Sequence, residues 1–135
     1  SRPVSVMEFH SVDDRLAPYG GRRGPRFGGA RARTRYSSVQ TGIDEWVAHN
    51  GCPPTPLVGE TLRGSPGSLD ESQTATRISY GPGRGGAEVV LYRFTGVGHV
   101  WPGTAISLPK LIGRATTLID ANETMWRFFT AHPLS

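Results

Sequence analysis

The stretch Gly96-Val97-Gly98-His99-Val100-Trp101-Pro102-Gly103 constrains this chain more than any other: a histidine set among glycines directly after the apolar, β-rich run Val89-Val90-Leu91-Tyr92. A backbone that leaves a buried strand, turns sharply and presents a side chain into open space uses glycine for both tasks. The pattern predicts a strand whose end carries an accessible imidazole, which is how a catalytic base is presented. A glycine-rich loop whose histidine only hydrogen-bonds its own turn would read the same way.

At 135 residues the chain is long enough for one domain with a modest core. With 36% hydrophobic residues and a mean hydropathy of −0.33, it holds no apolar run near the length of a membrane helix, and no charged-then-apolar leader opens it. The net charge is +4, yet residues 22–35 alone contain six arginines (Arg22, Arg23, Arg26, Arg31, Arg33, Arg35) and no acid, so the remainder is net −2. A segment of this kind could track a phosphate backbone. It offers one aromatic, Phe27, where a single-strand platform needs several for stacking, and a solvated loop is the expectation. Cys52 is the single cysteine, so no disulfide forms within the chain, and four dispersed histidines give no zinc spacing; no metal or cofactor is expected.

Residues 3–9 read as a strand buried in a parallel sheet, followed by a polar turn at residues 10–14 that sets Asp14 just past the strand's carboxyl end. Ser37 and Gln40 form a capping box for a helix whose apolar face is Val39, Ile43, Trp46 and Val47, with Gly51 as its C′ residue and Pro53-Pro54 as its stop. Trp46 is expected in the core. Residues 53–72, rich in Pro, Gly, Ser and Thr, read as loop; residues 74–80 and 87–94 read as strands around a glycine-rich turn. A last helix begins near Asp120, with Glu123 at the capping position and Ala121, Met125, Phe128 and Phe129 on one face.

His10, Asp14, Pro18, Tyr19 and Gly21, followed far downstream by Gly98, His99, Trp101, Pro102 and Gly103, fall in order on two motifs, HGxxDxxVPYxGG and GGGHxWPG. On these residues, and on the strings WVAHNGC at 46–52 and WRFFTAHP at 126–133, the chain resembles the C-terminal half of secreted α/β-hydrolases of the polyhydroxybutyrate depolymerase and feruloyl esterase group. The resemblance implies that residues 1–135 are the C-terminal part of one α/β catalytic domain, an incomplete sheet with flanking helices, and that the protein is extracellular. Members of that group often pair the cysteine of WxxxNGC with one shortly before the strand leading to the histidine; that place falls in residues 81–86, which hold no cysteine. Ser11 and Val97 stand where the motifs carry glycine.

By the same resemblance, Asp14 and His99 are the acid and base of a serine esterase triad, and Trp101 either lines the substrate pocket or pins the loop. Asp13 competes with Asp14 for the acid role, and the H-x-x-x-D spacing from His10 selects Asp14. His10 and Tyr19 are expected to be structural, and His49 and His132 to meet helix C-termini. The nucleophile of such enzymes sits in G-x-S-x-G, which does not occur here; Gly64-Ser65-Pro66-Gly67 has the wrong spacing and reads as a surface turn. The expected function is carboxylic ester hydrolysis, on a polyester or on acylated polysaccharide, with the serine supplied from upstream. The rival expectations are a non-catalytic piece or pseudoenzyme of the same fold, and a basic nucleic-acid-binding module.

Overall fold

The computed structural model describes residues 2–25, 33–106, 108 and 110–133. Its elements are β1 (Val6–Ser11), α1 (Val39–Asn50), β2 (Leu57–Arg63), β3 (Thr74–Tyr80), β4 (Val89–Thr95) and α2 (Ala121–Ala131), with one short 3₁₀ turn at Arg84–Gly86. They make a mixed four-stranded sheet of order β1-β4-β3-β2. β1 runs parallel to β4, pairing Val6 with Val89 through Ser11 with Phe94, whereas β3 is antiparallel to both β4 and β2.

β4 is the central element, and its composition explains why. Val89, Val90, Leu91 and Phe94 are all at most 1% exposed, as a strand covered on both faces requires. Alternation sends Val89 and Leu91 to one face, where they cluster with Val39, Ile43 and Val47 of α1. Tyr92 and Phe94 point to the other, among Phe9, Val97 and Leu118. On that second face Phe128 of α2 lines a cavity with Met7 and Tyr92. The helices thus cover opposite faces, and each fully buried Ile, Leu or Phe contributes roughly 1.5–3 kcal/mol.

α1 begins one residue later than the sequence suggested. Ser38, not Ser37, is the N-cap, its hydroxyl accepting from Thr41 N–H at 3.0 Å, while Gln40 turns outward to Asp44. Gly51 closes the helix in the left-handed conformation at φ 65°. Trp46 lies at the rim and is 40% exposed, stacking edge-on against His49 instead of entering the core. In α2, Asp120 is the N-cap; Ala121 and Phe128 are buried, but Phe129 is 49% exposed.

Two further differences concern strands. The segment read as loop contains β2, an edge strand whose Leu57 and Val58 face solvent and whose register slips between Val58 and Thr61. β1 is half-buried along Val6 to His10 instead of fully covered, because it has a strand partner on one side only among the described residues. In the arginine segment, a bridge joins Arg23 to Arg35; Arg26, Phe27 and Arg31 lie outside the described residues.

Candidate active site

Because β1 and β4 are parallel, the turns that follow them leave the sheet at the same end. The first turn carries Asp13 and Asp14, the second His99. Asp14 is buried, and its Oδ1 accepts two backbone N–H bonds, from Leu16 at 2.8 Å and Ala17 at 2.9 Å. That fixes the carboxylate and leaves Oδ2 facing across to Nδ1 of His99 at 2.7 Å. A carboxylate only accepts, so Nδ1 of His99 is the donor and, in the neutral ring, Nε2 presents its lone pair. The two side chains are 5% and 52% exposed respectively, an occluded acceptor behind an accessible imidazole.

Glycines bring the histidine here for reasons of space. Gly96 has φ +73°, and a Cβ on Gly98 would meet the carbonyl oxygen of Ile112 at 2.1 Å and Gly113 Cα at 2.4 Å. The loop is consequently zipped to the following segment, Gly98 N–H donating to Arg114 O at 2.9 Å and His99 N–H to Ile112 O at 2.5 Å.

The other acidic candidate does different work. Asp13 Oδ2 accepts from Gly96 N–H at 2.6 Å, tying the acid turn to the root of the histidine loop. Ser11 adds a second tie: its buried hydroxyl donates to Val97 O at 2.6 Å and accepts from Asp13 N–H at 3.2 Å. The residue that departs from the motif thus contributes a cross-link a glycine could not. Val97, the other departure, is 3% exposed and sits in the core beside Ala75 and Phe94.

Trp101 anchors its loop and also borders a cavity. Its indole N–H donates to Asn122 Oδ1 at 3.0 Å, anchoring the loop to α2, and its ring lies edge-on to Phe9 at 5.8 Å. Being 49% exposed, it also lines a cavity of about 310 Å3 with His99, Asp14 and Phe9. His10 lies in the same wall. Burial alone would lower its pKa, but hydrogen bonding to Glu8 and to the Ala17 carbonyl, with the charges of Asp14 and Glu8, raises it above 6.5.

Tyr19 packs against the α1 face and touches His10 edge-on at 5.8 Å; burial raises its phenol pKa, with Arg93 opposing. His132 caps α2 through Phe128 O, and His49 bonds Arg2 O at the end of α1. Ser65 is exposed in a turn. Cys52 is buried against Ala87 O, and burial raises its thiol pKa. A Cβ built on Gly83 would stand 2.7 Å from the Cys52 sulfur. Among the described residues no three His, Cys, Asp or Glu side chains gather as a metal site, and no helix is long and apolar enough to cross a membrane.

The sequence singled out Asp14, His99 and Trp101 and expected His10 to be structural, but it gave no partner for His10 and no role for Ser11, because those contacts depend on turn geometry. Compared with protein-family models, curated proteins and solved structures, the chain matches none.

Proposed function

We propose that this chain supplies the acid and the base of a serine-type carboxylic ester hydrolase, with the nucleophilic serine and its oxyanion-hole amides provided by residues outside this sequence. The carrying observation is the 2.7 Å bond between His99 Nδ1 and a carboxylate whose other oxygen is already held by two backbone amides. That arrangement commits Nε2 to proton acceptance. Nε2 takes the serine proton as the hydroxyl attacks the ester carbonyl; Asp14 stabilises the imidazolium; the proton then passes to the leaving alkoxide. Water repeats the sequence on the acyl-enzyme.

Two features add support. Among the described residues β1 has no strand partner on its outer edge, which leaves that edge open to pair with the rest of a larger sheet. Gly83 faces Cys52 and lies within residues 81–86, the stretch where members of the resembled group often carry a partner cysteine. On this reading the fold is the C-terminal portion of an α/β-hydrolase domain, the protein is extracellular, and the substrate is a polyester of the polyhydroxybutyrate kind or a feruloyl or acetyl ester of polysaccharide. Trp101 offers a half-exposed apolar face to the acyl or alcohol part. The second reading, a non-catalytic member of the same fold, is favoured by one observation: no G-x-S-x-G occurs in the chain. Aryl-ester hydrolysis by the chain produced together with the reading frame preceding Ser1 separates the two, since the first requires turnover that His99→Ala abolishes and the second requires none.

A further inference from the structure

His10 stands among acceptors. Its Nδ1 lies 3.3 Å from Glu8 Oε1, and its Nε2 lies 2.8 Å from Ala17 O and 3.7 Å from Asp14 Oδ2. A neutral imidazole has one N–H and one lone pair, so in either tautomer a lone pair confronts a carboxylate or a carbonyl oxygen. Only the imidazolium, with a donor on each nitrogen, serves both hydrogen-bond acceptors, and its charge is complementary to the nearby Asp14 carboxylate. The ring is 17% exposed, so these interactions are partly shielded from water. Other titratable or charged groups facing this ring are Arg93, paired with His10 in the β1–β4 register, Tyr19, edge-on at 5.8 Å, and His99, which bonds the same Asp14 Oδ2; the two carboxylates of Glu8 and Asp14 are set against them.

The contacts converge on one residue of the acid turn. Ala17 donates its N–H to Asp14 Oδ1 and offers its carbonyl to His10 Nε2, so a residue that fixes the acid is itself gripped by the end of β1. We propose that protonated His10 is a positioning residue: it clamps the turn at residues 12–17 to β1 through Glu8 and Ala17, holds Asp14 Oδ2 toward His99, and loosens that turn when it gives up its proton. The raised pKa of His10 places this release above the ordinary histidine value of 6.5. The bearing on catalysis rests on Asp14 and His99 being acid and base; the clamp itself does not.

The test is a pH titration of the isotopically labelled chain by NMR, following the His10 ring together with the Leu16 and Ala17 amides, which both donate to Asp14. Both amides are expected to step at the His10 midpoint, above pH 6.5, and their hydrogen-exchange protection to fall about fivefold beyond it. His10→Phe is expected to abolish the step and lower the protection at every pH. His10→Gln, whose amide still donates to Ala17 O, is expected to recover protection without the step. Amides that show no step at the His10 midpoint, or His10→Phe with protection unchanged, would overturn the clamp. Should His10→Phe fail to fold, the wild-type titration alone decides. Because the readout involves no ester, its failure leaves the acid and base assignment standing, and failure of hydrolysis leaves the clamp standing.

Discussion

Ser11 reaches across 86 positions to Val97: its hydroxyl donates to that residue's carbonyl at 2.6 Å inside the wall between the two site turns. The bond is buried and local to the junction of β1 and the histidine loop, so it governs how firmly Asp14 and His99 are held together. Ser11→Ala leaves the Val97 carbonyl unpaired and is expected to cost about 1–2 kcal/mol in urea unfolding. An unchanged midpoint would show that water replaces the hydroxyl and that the junction does not depend on it.

The close approach of Gly98 to Gly113 predicts a sharp contrast between glycines. A Cβ at Gly98 meets backbone at 2.1 Å, whereas a Cβ at Gly67, although φ is +75° there, meets nothing within 4 Å. Gly98→Ala should lose about 3 kcal/mol or more through forced backbone movement. Gly67→Ala should lose only the left-handed penalty, about 1–2 kcal/mol. Equal losses in paired thermal melts would contradict the packing described for the histidine loop.

His10 gives the chain a pH-dependent stability of defined sign. Its folded pKa lies above the unfolded value of 6.5, so its contribution is fully present below pH 6.5 and is lost as pH rises through the folded pKa. Denaturation of wild type and His10→Gln across that window is expected to show a gap that is widest at the acid end and closes on the alkaline side. A gap that widens with pH would mean the ring is held neutral.

Much of the fold is legible in the sequence because its signals are local. β4 announces itself by four consecutive apolar residues, α1 by the spacing of Val39, Ile43 and Val47, and α2 by Asp120 and Glu123. β2 escapes because an edge strand need not bury either face: Leu57 and Val58 are 73% and 65% exposed, and Gly59 and a register slip interrupt the alternation. Ser37 and Ser38 are equally good caps in isolation, and a one-residue shift in how the chain enters the helix decides between them. Trp46 falls on the apolar stripe, yet a ring at the stripe's rim is served by His49 as a neighbour. The pair Asp14 and His99 could be singled out by motif. The ties made by Ser11, Asp13 and His10 join residues by exact backbone placement in two turns, which no periodicity encodes.

Gly83 and Cys52 are placed for a covalent test of the same region. The 2.7 Å from a Cβ on Gly83 to the Cys52 sulfur is near the roughly 3 Å a disulfide spans between those atoms, though Asn50 O at 2.6 Å must give way. Gly83→Cys is expected to form the cross-link under mild oxidation and to raise stability by about 2–3 kcal/mol over its own reduced form. A thiol count of two after oxidation would show that the turn between β3 and β4 and the end of α1 are not as close as described.

The most direct measurement is the turnover of a simple aryl ester by this chain produced together with the reading frame that precedes Ser1, comparing wild type with His99→Ala and Asp14→Asn. Turnover in the wild type is expected to fall on the order of 10⁴-fold in each variant, with the fold of both retained by circular dichroism. Wild-type activity that survives His99→Ala, or its absence despite an intact G-x-S-x-G upstream, would contradict the assignment of His99 as the base.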